Sequence, residues 1–171
     1  AAPVIRALTD SVAGADTVED SWSETTTLPA ACGDWLTAAE VNASLGMEGI
    51  AERHYPLSMP IILNEGLSSG IGCSWSNSYS SAQAMPIQLA ALPDAEWAWD
   101  AAWAKPRPDR TPAMSLGGVG DQAYSGCATD QDVCFVDVLS SGTWITVSGN
   151  NHAGIEGLTR IATLALGKLD S

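Results

Sequence analysis

The spacing of apolar and polar residues changes period several times along this chain, and each change marks an element. From Thr37 the period is helical. Thr37 can cap a helix with Glu40 three residues on, Val41 and Leu45 form its buried stripe, and Gly46 ends it. Strand-like runs follow around 52–55, 72–77 and 86–92, separated by Gly, Pro, Ser and Asn turns. Asp94 is expected to cap a second helix over 95–104. Beyond a proline-rich loop come three more strand candidates, 122–127, 133–139 and 143–148, with a hairpin at Ser140-Ser141-Gly142 joining the last two. The final helix, 154–169, gathers Ile155, Leu158, Ile161, Ala162, Ala165 and Leu169 on one face.

The predicted order is therefore α-βββ-α-βββ-α. It implies an α+β fold in which amphipathic helices cover an antiparallel sheet, and it hints at two degenerate α-β-β-β units. Residues 1–30 have another character, rich in Ala, Thr, Ser, Asp and Glu. They read as an N-terminal tether or docking arm ahead of a single domain over 31–171. Val4, Ile5, Leu8 and Val12 recur at helical spacing there, with Trp22 beyond, so the arm can dock as a short amphipathic helix.

Charge narrows the partners. Twenty Asp and Glu against seven Lys and Arg give the 171 residues a net charge of −13, which repels phosphate backbones and anionic lipid; nucleic acid is not an expected partner. Lys105, Arg107 and Arg110 alternate with Pro106, Pro108 and Pro112, as in an extended solvated connector. No apolar run approaches the roughly 20 residues that span a bilayer.

Four cysteines without a Cys-x-x-Cys suggest two disulfides formed in an oxidising compartment. Three connectivities are possible. The short spacing of Cys127 and Cys134, and the helix-to-strand placement of Cys32 and Cys73, favour Cys32–Cys73 with Cys127–Cys134. Zinc is the rival use of these thiols, but only His54 and His152 could assist and no short ligand pair exists, so no metal or other cofactor is expected.

At Cys32-Gly33-Asp34-Trp35-Leu36-Thr37-Ala38-Ala39-Glu40-Val41 through Leu45-Gly46, at Gly72-Cys73-Ser74-Trp75 and at Gly118-Val119-Gly120-Asp121-Gln122-Ala123-Tyr124, the chain resembles secreted actinobacterial, mycobacterial-type envelope lipoproteins of a family without an assigned function. The resemblance spans about residues 31 to 168, and a more distant likeness is to the extracellular sensor domains of mycobacterial receptor kinases. It implies an envelope location, with a lipidated cysteine at the mature N-terminus and a flexible tether after it. This chain departs there, beginning at Ala1 with no lipobox cysteine, as expected of an anchor-trimmed form or an unlipidated member. The family supplies no catalytic residue to carry over.

Three motifs have a chemical and a structural reading. Gly118-Val119-Gly120-Asp121-Gln122-Ala123 matches the G-x-G-x-x-A dinucleotide fingerprint, but Tyr124-Ser125-Gly126-Cys127 does not continue as the required helix, so a turn entering a strand is preferred. Asp130 and Asp132 sit on the loop between Cys127 and Cys134, with Asp137 further on; two carboxylates are too few for calcium, and a solvated hairpin tip is preferred. His54 and His152 among many serines form no recognisable nucleophile constellation, and no Gly-x-Ser-x-Gly elbow occurs.

Seven tryptophans against one phenylalanine are the strongest compositional signal. Trp97, Trp99 and Trp103 share the second predicted helix. Trp99 and Trp103 are i, i+4 neighbours, while Trp97 points about 160° away from Trp99. One sheet cannot cover both faces, so Trp99 and Trp103 are expected toward the sheet, with Trp97 covered by the N-terminal arm or offered to a partner. All three are candidate ligand or partner contacts. Trp75 and Trp144 are expected in the core, near the disulfide and the final helix. The expected function is a non-catalytic, extracytoplasmic module, secreted or anchored in the envelope, that binds an envelope protein or an apolar or glycan ligand. The alternative is an unrecognised secreted hydrolase.

Overall fold

The computed structural model describes residues 27–53, 70–77, 87–103, 113–128 and 132–170. The elements are α1 (Cys32–Trp35), α2 (Ala38–Leu45), β1 (Ala51–Glu52), β2 (Ile71–Ser76), β3 (Ile87–Leu92), α3 (Glu96–Trp103), β4 (Met114–Ser115), β5 (Gln122–Ala128), β6 (Val133–Ser140), β7 (Thr143–Asn150) and α4 (Gly154–Leu169). Most of the N-terminal arm, His54 and the Lys105–Arg107–Arg110 stretch lie outside the described residues.

The seven strands form one antiparallel sheet in the order β1-β2-β3-β7-β6-β5-β4. Each half of the sheet is a run of neighbouring hairpin-like strands, and the last long strand of each half, β3 and β7, lies at the centre. The α+β class and the five longer strands, β2, β3, β5, β6 and β7, agree with the sequence pattern; β1 meets the 52–55 candidate at Glu52, and residues 54 and 55 of that candidate lie outside the described residues. Two short elements do not follow from it, α1 and β4, because runs of four and two residues carry no readable period.

Strand alternation gives the sheet two unlike faces. On one face Cys73, Trp75, Ile87, Leu89, Val136, Val138, Ile145 and Val147 meet Leu158, Ile161, Ala162 and Ala165 of α4, all nearly devoid of solvent exposure. α1 and α2 complete this layer. The Trp35 indole N–H reaches the Ala165 carbonyl at 3.0 Å, and the Arg160 Nε donates to the Ser44 carbonyl at 2.6 Å. On the opposite face Leu92, Leu139 and Trp144 lie side by side, by the pairings Leu92↔Trp144 and Leu139↔Trp144, beneath Trp99 of α3 and Ala95 just before that helix. Trp75 and Trp144 are both core residues, but Trp144 lies under α3 rather than near α4, because its position on β7 sends its side chain to the other face.

The capping box is formed. The Thr37 Oγ1 accepts from the Glu40 N–H at 3.3 Å, the Glu40 Oε2 accepts from the Thr37 N–H at 2.7 Å, and Gly46 closes α2 in the left-handed region at φ 65°. Glu40 also takes the Lys168 ammonium at 2.6 Å, which ties α2 to the last turn of α4. The Lys168 bond, and then the Thr37 backbone N–H, hold the Glu40 carboxyl down to about 2 from an ordinary 4.5. A depressed carboxylate stabilises the fold above its unfolded pKa, and that contribution is lost as pH falls from about 4.5 toward about 2. Both partners are about one-third exposed, so the expected contribution is below ~1 kcal/mol. The stability gap between wild type and Glu40→Gln in urea titrations should accordingly be present at neutral pH and shrink through that acid window; a gap that widened on acidification would contradict the pairing.

Both disulfides have the expected pairing, Cys32 with Cys73 and Cys127 with Cys134. The first fastens α1 to β2 within the main core layer, and the second joins directly opposed residues of β5 and β6. Two disulfides suit an oxidising, extracytoplasmic compartment. Among the described residues no helix is long and apolar enough to cross a membrane.

Candidate interaction face on the third helix

α3 is short, and its position is set at the residue just before it. The Ala95 N–H donates to the Gly142 carbonyl at 2.8 Å, which pins the start of the helix to the β6–β7 hairpin. That hairpin turns through Ser141 at φ 47° and Gly142 at φ 76°, the pair of positive φ values that a two-residue type I′ turn requires. Asp94 was expected to cap the helix. Instead it stands one residue outside, at φ 52°, and Ala95 directly precedes Glu96.

From that anchor the three tryptophans diverge. Trp99 is 1% exposed and fills the second core cluster. Its ring centroid lies 5.5 Å from Trp144 edge-on, 5.7 Å from Tyr124 and 5.8 Å from Trp103, and its indole N–H donates to the Gln122 Oε1 at 3.2 Å. Trp103 is half-buried and stacks on Tyr124 at 4.5 Å, with Phe135 beyond at 6.2 Å. Trp97 is 56% exposed. Of the three candidate contacts, Trp97 is the one whose ring an incoming molecule reaches without rearrangement, and Trp99 and Trp103 hold the helix that carries it.

The cluster also encloses Asp137, which the strand alternation sends to the α3 face. It is 3% exposed and accepts from the Trp144 indole N–H at 3.4 Å. Its burial was not legible in the sequence, where Asp137 read only as a neighbour of the hairpin loop.

The remaining motifs have structural settings. The glycine-rich fingerprint runs into β5, not a helix, so its amides do not form a helix N-terminus. Gly120, at φ 59°, is needed for close approach: a Cβ there would stand 2.5 Å from the Val138 Cγ1 and 2.6 Å from the Leu139 carbonyl oxygen. Asp132 is an exposed turn residue, and His152 is exposed beside the start of α4, its backbone N–H donating to the Asn150 Oδ1 at 3.2 Å. Among the described residues no three His, Cys, Asp or Glu side chains are grouped to hold a metal.

No family model, curated protein or solved structure matches this chain.

Proposed function

We propose that this chain is a non-catalytic module of the cell envelope, secreted or anchored there, that recognises an envelope protein or an apolar or glycan ligand through the outer face of α3. The observation that carries the reading is the exposure of Trp97, at 56%, on a helix fixed by a buried tryptophan two residues on. A large indole left in water has no stabilising use in the monomer, whereas tryptophan is enriched where proteins are recognised. Its position is also preorganised, because Trp99 and the Ala95–Gly142 bond hold the helix, and little ordering is required on binding.

The test is a binding panel read against wild type and Trp97→Ala in parallel: a basic peptide, an acidic peptide, a neutral apolar peptide and a neutral oligosaccharide. At least one class should bind and lose affinity with the substitution. A fluorophosphonate probe should leave no stoichiometric adduct. A single labelled serine, or a panel insensitive to Trp97, would overturn the reading.

A further inference from the structure

Resting on that reading, we infer that the partner of the Trp97 face is cationic: a protein segment whose Arg or Lys side chain lies against the indole between carboxylates. The exposed side of α3 consists of Glu96, Trp97, Asp100 and Ala101, and Asp100 lies between Glu96 and Trp97 by helical rotation. Glu96 and Asp100 are an i, i+4 pair of like charge, an arrangement that weakens a helix. Neither forms an ion pair among the described residues, and α3 contains no basic residue. Asp94 is exposed just before the helix. Asp121 borders the same hairpin, its Oδ2 accepting from the Ser141 N–H at 2.8 Å.

The described cations lie elsewhere. Arg160 and Lys168 are engaged with Glu156 and Glu40 on the helical layer across the sheet, and Arg53 follows β1 near the far edge. The helix thus carries repulsion that no described neighbour relieves, and a cation relieves it. The same charge would sit over an indole face, where guanidinium groups are favoured. The chain's N-terminal 26 residues are a poor occupant on charge grounds, with Asp10, Asp16, Glu19, Asp20 and Glu24 against Arg6. A neutral glycan would gain from the indole but not from the carboxylates.

The experiment is isothermal titration of the folded chain with hexa-arginine amide, with hexaglutamate and chitotetraose as the other arms, at low salt. Trp97→Ala and the pair Glu96→Gln/Asp100→Asn should each weaken hexa-arginine binding by about three- to tenfold. The control pair Asp34→Asn/Glu48→Gln, exposed carboxylates of the opposite layer, should change it less than about twofold. Equal losses in the two carboxylate pairs would mean that net charge alone attracts the peptide, and the inference fails. If chitotetraose or hexaglutamate binds in a Trp97-dependent way and hexa-arginine does not, the recognition face stands and the cationic partner falls. A tenfold gain in hexa-arginine affinity on neutralising Lys105, Arg107 and Arg110 would assign the face to the chain's own basic loop, and would also overturn the inference.

Discussion

Alanine at Trp99 should cost about 3–5 kcal/mol, the range for removing a large aromatic from a packed core. The side chain is 1% exposed, touches Trp103, Tyr124 and Trp144, and supplies the hydrogen bond to Gln122. Its loss leaves a cavity between α3 and the sheet that those rings cannot fill together. For a domain of this size each kcal/mol moves the midpoint by about 2–4 °C, so the melting temperature should fall by about 6–20 °C. Near-ultraviolet circular dichroism should lose the signal of the coupled rings in the same variant. A fall of only a degree or two would mean that α3 is not anchored as described.

Removing Cys32 and Cys73 together, as Cys32→Ala/Cys73→Ala, should be of comparable size. The bond spans 41 residues of sequence, and closing such a loop in the unfolded chain is worth about 4 kcal/mol in the chain-entropy model. The Cys127–Cys134 bond spans 7 and should be worth about 2.5 kcal/mol. It also has help from β5–β6 pairing on both sides, which persists without it. Urea midpoints of the two double variants should therefore fall in that order, and the reverse order would show that the longer bridge is not constraining the chain.

Much of this architecture was legible because it is local. The strand β6 is a near-continuous apolar run of eight residues buried on both faces, the Thr37–Glu40 box is spaced by three, and the apolar stripe of α4 recurs over four turns; each is read from neighbours in sequence. The pairing of β3 with β7 was not legible. Those strands are more than 50 residues apart, and which edge strand of one half meets the other is decided by how both halves bury their apolar sides. For the same reason the sequence pattern places Trp144 near the final helix, whereas it lies under α3. Alternation says that Trp144 and Ile145 point to opposite faces, but not which helix lies on which. The division of labour among the α3 tryptophans was accessible from helical rotation alone, which sets Trp97 about 160° from Trp99. The acidic setting of Trp97 against the β6–β7 hairpin needed the tertiary contact between Ala95 and Gly142.

The central claim is that the two sides of α3 have different tasks, Trp99 holding the fold and Trp97 serving recognition. Thermal unfolding of Trp97→Ala tests it most directly, since it needs no partner. At 56% exposure the ring has little burial to lose, and alanine is the better helix former, so the change should stay below about 1 kcal/mol and the midpoint within about 4 °C of wild type. A fall matching that of Trp99→Ala would make Trp97 a structural residue and remove the recognition face.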